Sequence, residues 1–136
     1  MRVILCDSYE EISNKAAELV AAQIMLKPDC VLGLATGSSP IGMYKKLTEM
    51  NLDFSEVTTF NLDEYYPISR DNVQSYYYFM NEHLYSKVNL KPENIHIPNG
   101  QADDVEAECS AYDEAIEDVS DEERIDIITL LEKNII

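Results

Sequence analysis

Two short runs constrain the fold most: Cys30-Val31-Leu32-Gly33-Leu34 and Val57-Thr58-Thr59-Phe60-Asn61. Neither shows the apolar–polar alternation of a strand with one face in water. The first is fully apolar and the second β-branched and aromatic, as in buried strands of a parallel sheet covered by helices. Between them, Tyr44, Leu47 and Thr48 have helical spacing, so the first run connects to the second through a helix.

The same alternation extends along the chain. Arg2-Val3-Ile4-Leu5-Cys6 reads as a first strand. Ser8 and Glu11 have capping-box spacing. Ile12, Ala16, Leu19, Val20, Gln23 and Ile24 then form a helical stripe that ends before Pro28. Pro40 suits the first position of the second helix, with Ser39 as its N-cap, and that helix runs to about Met50. Residues 65–73 form a loop. A helix is expected from Ser75 to Tyr85, a short strand at Ile95-His96-Ile97 and an amphipathic helix from Val105 to about Val119. Ile125 to Leu131 is a last apolar run. The expected fold is α/β, a three-layer α/β/α arrangement around an open, mostly parallel sheet. No repeat or flexible linker divides the 136 residues, so residues 1–136 make one domain.

Twenty-six acids against ten bases give a net charge of −16, which disfavours nucleic acid or an anionic membrane as partner. Twelve of the acids lie between Asp103 and Asp126, as expected of a solvated helix face and acidic loop. The N-terminus has no signal-peptide pattern and no run is long enough to span a bilayer, so a cytoplasmic location is expected. Cys6, Cys30 and Cys109 are far apart and read as buried small hydrophobes; with His83 and His96 equally isolated, no metal site is expected.

Two segments could carry chemistry. After the second expected strand comes Ala35-Thr36-Gly37-Ser38-Ser39-Pro40, a small-residue loop entering a helix. Free backbone N–H groups and the positive end of a helix dipole make such a junction a natural phosphate site. Thr36, Ser38 and Ser39 add hydroxyls, and Gly37 permits close approach. The loop is neither a Walker A nor a GxGxxG motif, and an ordinary capped turn would explain it equally well. After the third expected strand comes Asp63-Glu64-Tyr65-Tyr66. Acids at the carboxyl end of a strand lie where open α/β sheets bind ligands, and one of them could be a general base. An acidic turn closing the strand is the alternative. Both segments follow consecutive strands, so both face one crevice. A phosphate at one end and a carboxylate at the other suit a small sugar phosphate and proton transfer at carbon.

The blocks Val31-Leu32-Gly33-Leu34-Ala35-Thr36-Gly37-Ser38-Ser39-Pro40, Thr59-Phe60-Asn61-Leu62-Asp63-Glu64-Tyr65 and Ser75-Tyr76-Tyr77-Tyr78-Phe79-Met80 resemble the glucosamine-6-phosphate deaminase family. Pro92-Glu93-Asn94-Ile95, Asn99-Gly100, Ala107-Glu108-Cys109 and Tyr112 continue the resemblance in order, over roughly residues 1–118. The related phosphogluconate lactonases share the fold, but Phe-Asn-Leu-Asp-Glu-Tyr is not expected in them. The resemblance implies conversion of glucosamine 6-phosphate to fructose 6-phosphate and ammonia, with no metal or organic cofactor. It makes Asp63 the base that takes the C2 proton and places Gly37, Ser38 and Ser39 on the phosphate. Thr36, Glu64, Tyr65 and Tyr76 support the pocket. A homo-oligomer is a further implication.

Residues 119–136 depart from that pattern. The family continues into Gly-x-Gly-x-x-Gly-His-Ile and Phe-Asn-Glu-Pro, and further on to the Arg and Lys that neutralise the phosphate. Here Ile125-Asp126-Ile127 is followed by Leu130-Leu131-Glu132-Lys133-Asn134-Ile135-Ile136. The expectation is a truncated deaminase, inactive or nearly so alone. The alternative is a non-catalytic sugar-phosphate-binding or interaction module derived from that family.

Overall fold

The computed structural model describes residues 2–122 and 126–127. Helix α1 spans Tyr9–Leu26, strand β1 Val31–Leu34, α2 Ile41–Glu49, β2 Thr58–Asn61, α3 Tyr76–His83, β3 Ile95–His96, α4 Val105–Glu122 and β4 Asp126–Ile127. The strands form one parallel sheet in the order β3-β2-β1-β4. Of the last apolar run, Ile125 and residues 128–131 lie outside the described residues.

Sheet register explains how the core divides. Leu34 pairs with Asn61, Gly33 with Phe60 and Phe60 with His96. Alternate residues of a strand face opposite sides. On one side Leu32 and Leu34 join the principal core with Ala16, Val20 and Ile24 of α1, Met43, Tyr44 and Leu47 of α2, and Met80 of α3. On the other side Phe60 stacks on His96 at 4.4 Å and meets the Tyr112 ring of α4 edge-on at 5.9 Å. Helices therefore cover both faces, as the uninterrupted strand pattern requires.

Ser8 caps α1 as its spacing predicts, its Oγ accepting the Glu11 N–H at 3.1 Å. The Glu11 carboxylate reaches back to the Asp7 N–H at 2.8 Å. The buried stripe of α1 is Ser13, Ala16, Ala17, Val20, Ala21 and Ile24, while Leu19 points outward. Its small residues let α2 approach closely. A Cβ on Gly42 would meet Ser13 Oγ at 2.2 Å and Tyr9 Cε1 at 3.0 Å.

Three expectations need correction. Residues 2–6 form no strand: Val3 is 68% and Leu5 92% exposed, and no neighbouring strand among the described residues pairs with them. The N-cap of α2 is Pro40, not Ser39. Pro40 lies in helical dihedral space (φ −84°, ψ −5°) outside the helix proper and has no side-chain acceptor to offer. Of the cysteines only Cys30 is buried; Cys6 is half-buried and Cys109 is exposed on the outer face of α4.

Candidate active site

The loop 35–39 leaves β1 and the segment 62–65 leaves β2 at the same end of the sheet. Their last residues, Leu34 and Asn61, are register partners, on neighbouring strands about 4.8 Å apart. The Asn61 amide strengthens this junction, donating to the Leu34 carbonyl at 3.0 Å. Its Oδ1 accepts the Tyr85 hydroxyl at 2.5 Å. The Asn61 carbonyl accepts the Tyr112 hydroxyl, which also lies 3.0 Å from the His96 carbonyl. Tyr44, fully buried, donates to the Ala35 carbonyl at 2.5 Å and accepts from the Ala35 N–H at 3.2 Å. Burial raises the pKa of Tyr44, Tyr85 and Tyr112 well above the ordinary tyrosine value, so all three stay neutral donors. Satisfied buried networks of this kind rigidify what they join, and here they join the ends of β1, β2 and β3 beneath the two loops.

The structure brings the sequence-marked residues to that end. Gly37 and Ser38 are exposed at the crest of the first loop, with Thr36 and Ser39 half-buried beside them. Gly37 has φ +101°, a conformation that favours glycine. Asp63 is exposed just beyond β2, in irregular backbone. Tyr65 and Tyr76 form a tilted ring pair with centroids 4.8 Å apart. The Tyr76 hydroxyl is pushed up to about 12, chiefly by its hydrogen bond with Tyr65, then by desolvation and by the nearby charges of Tyr65, Asp63 and Glu64. The Asp63 charge is thus near enough to Tyr76 to help hold that hydroxyl protonated.

Glu64 is fully engaged. Its Oε1 accepts from the N–H groups of Tyr65 at 2.9 Å and Tyr76 at 2.8 Å. Its Oε2 accepts from Ser75 Oγ at 2.7 Å and the Tyr77 N–H at 3.1 Å. Ser75 itself caps α3. Burial alone would raise the Glu64 pKa, but the bonds from Tyr76, Ser75, Tyr77 and Tyr65 outweigh it and hold it below 4.5. Glu64 is thus an anion locked onto the N-terminus of α3, whereas the adjacent Asp63 is exposed.

The sequence did not single out Tyr9, Tyr44, Asn61 or Tyr85 for this region. Asn61 carried a usable signal, as a polar residue closing an otherwise buried strand. The tyrosines carried none, because their bonds span up to 33 residues. A shallow depression lined by Tyr66, Pro67, Ile68, Gln101 and Asp103 holds none of the predicted site residues. Among the described residues no cluster of His, Cys, Asp or Glu could hold a metal ion, and no helix is long and apolar enough to cross a membrane.

The fold and site define an open parallel α/β domain with a polar loop and a carboxylate at the carboxyl ends of adjacent strands. Residues 7–131 match the model of the glucosamine-6-phosphate isomerases/6-phosphogluconolactonase family, and the chain belongs to that family. It is 56% identical over 121 residues to a glucosamine-6-phosphate deaminase of Clostridioides difficile (strain 630), covering 86% of this chain and 49% of that protein. It is 58% identical over 120 residues to the deaminase of Halothermothrix orenii, covering 85% and 50%. The structure of a monomeric glucosamine-6-phosphate deaminase superposes with TM-score 0.85 at 44% identity, over 88% of this chain and 52% of that one. A 6-phosphogluconolactonase of Thermotoga maritima, at 23% identity and TM-score 0.71 over 88% and 54%, shares the fold. The chain spans about half the length of the curated relatives it matches.

Proposed function

We propose that this chain supplies the phosphate loop and the proton-abstracting base of a glucosamine-6-phosphate deaminase. The observation that supports this is the Leu34–Asn61 register, by which loop 35–39 and the segment carrying Asp63 start from paired residues of adjacent parallel strands. In this function Asp63 takes the C2 proton of the ring-opened amino sugar, giving an enolamine. Reprotonation at C1 makes the C2 imine, and water then adds at C2 and releases ammonia, leaving fructose 6-phosphate. Gly37, Ser38 and Ser39 hold the phosphate through backbone N–H groups and hydroxyls. Thr36 lines the loop, while Glu64, Tyr65 and Tyr76 form and support the wall around Asp63.

Charge limits what this chain does alone. Residues 35–40 contain no Lys or Arg. A helix N-terminus contributes about 0.3–1 kcal/mol toward an anion, about 2 in favourable sites. A bidentate Arg would add more. Binding of the phosphate is therefore weak and turnover by the chain alone is not expected. The test is complementation with the C-terminal half of the Clostridioides difficile relative. Ammonia release from glucosamine 6-phosphate that disappears in Asp63→Asn is expected. Turnover that survives Asp63→Asn removes the base assignment.

A further inference from the structure

The phosphate loop enters α2 without a side-chain cap of its own, because Pro40 holds the N-cap position. A cap is supplied from elsewhere. The Tyr9 hydroxyl, on the first residue of α1, accepts the Gly42 N–H at 2.9 Å and donates to the Ser38 carbonyl at 2.8 Å. One phenol thus satisfies an orphan donor of the helix and pins a carbonyl of the loop. In a trans peptide the C=O and the following N–H point in opposite directions. Fixing the Ser38 carbonyl toward Tyr9 therefore turns the Ser39 N–H away from α1. The Ile41 N–H, 3.4 Å from the same carbonyl, makes only a weak bond to it, so the Tyr9 hydroxyl is its principal donor.

The neighbouring residues fit this contact. Only glycine at position 42 allows the Tyr9 ring so close, since a Cβ there would meet Tyr9 Cε1 at 3.0 Å and Ser13 at 2.2 Å. Tyr44 holds the opposite end of the same loop through Ala35. Loop 35–39 is therefore clamped by a tyrosine at each end, one from α2 and one from α1.

We propose that Tyr9 is a positioning residue for phosphate recognition: its hydroxyl orients the Ser38–Ser39 peptide and caps α2 so that the loop N–H groups converge on a phosphate-bearing substrate. This inference rests on the proposed deaminase function. It assigns Tyr9 no contact with substrate and no part in proton transfer.

The test compares wild type, Tyr9→Phe and Asn89→Ala. Asn89 lies away from the loop, where its Oδ1 accepts the Phe54 N–H at 2.7 Å, so its replacement controls for general destabilisation. Glucosamine 6-phosphate is titrated into each, followed by ³¹P and ¹⁵N NMR. Tyr9→Phe is expected to weaken binding roughly three- to tenfold, the worth of about one hydrogen bond. It should also move the bound-ligand ³¹P resonance and the Ser39 amide, and speed Gly42 amide exchange. Asn89→Ala should leave the ³¹P shift and affinity unchanged. Two results overturn the proposal: unchanged affinity in Tyr9→Phe despite faster Gly42 exchange, or equal losses in both variants. Because binding by the chain alone is weak, each titration runs to the solubility limit of the sugar phosphate. Absence of shifts at Gly37, Ser38, Ser39 and Asp63 of wild type at that limit removes the site on which the deaminase function and the proposal both rest, and is recognised because wild type is measured first.

Discussion

Glu64→Gln removes a charge at nearly constant shape, and its effect follows from four distances. The carboxylate accepts from Tyr65 N–H at 2.9 Å, Tyr76 N–H at 2.8 Å, Ser75 Oγ at 2.7 Å and Tyr77 N–H at 3.1 Å. In glutamine one acceptor becomes an NH₂ that only donates. Ser75 can turn its hydroxyl to accept from it, so the NH₂ settles on that side and the Tyr77 N–H loses its anionic acceptor. Hydrogen bonds to charged groups contribute about 1.5–3 kcal/mol and a helix N-terminus about 0.3–1 kcal/mol more. Glu64 is half-exposed, and solvent screening holds the sum near the lower end, about 2 kcal/mol. For a domain of this size that lowers Tm by about 6–10 °C.

The pH dependence gives the sign. The folded pKa of Glu64 lies below its ordinary 4.5, with burial opposing and the hydrogen bonds winning. Its contribution is therefore complete above about 4.5 and disappears as pH falls through the folded pKa. Urea unfolding followed by circular dichroism, at steps from pH 7 to 2.5, checks this. The wild-type advantage over Glu64→Gln should be full at pH 7 and should narrow below pH 4.5. An advantage under about 0.5 kcal/mol at pH 7, or one constant across the range, refutes the account of Glu64 as an anionic cap.

Two other outcomes follow from the same geometry. Tyr85→Phe deletes the donor to Asn61 Oδ1 and leaves a buried acceptor unpaired, so stability should fall by about 1–3 kcal/mol in denaturant unfolding. Gly37→Ala forces a side chain onto φ +101° at a cost of about 1–2 kcal/mol. Nothing lies within 4 Å of the added methyl, so the loss reports backbone strain, and a thermal melt indistinguishable from wild type would contradict it.

Much of this architecture was legible in the sequence. Cys30–Leu34 and Val57–Asn61 announced buried parallel strands, and the Gly and acidic residues after them marked the two loops that leave those strands at one end of the sheet. Ser8 and Glu11 fixed the start of α1 because capping is a contact over three residues. Where the expectation failed, the deciding interaction was not local. Residues 2–6 have strand composition, but a strand forms only beside a partner, and none among the described residues pairs with them. Pro40 rather than Ser39 holds the N-cap of α2, and the acceptor for Gly42 comes from Tyr9, 33 residues earlier. The clamps from Tyr44, Tyr85 and Tyr112 were equally hidden. Each looks like an ordinary helical or loop aromatic until the fold brings its hydroxyl to a strand end.

In the proposed function loop 35–39 and Asp63 form one sugar-phosphate site at the ends of β1 and β2. A ¹⁵N–¹H titration of the chain with glucosamine 6-phosphate tests it most directly. Saturable, concerted shifts at Gly37, Ser38, Ser39 and Asp63, weakened when glucosamine replaces the phosphorylated sugar, are the predicted result. Shifts confined to the depression around Tyr66, Ile68 and Gln101, or shifts at Asp63 without the loop, would contradict it.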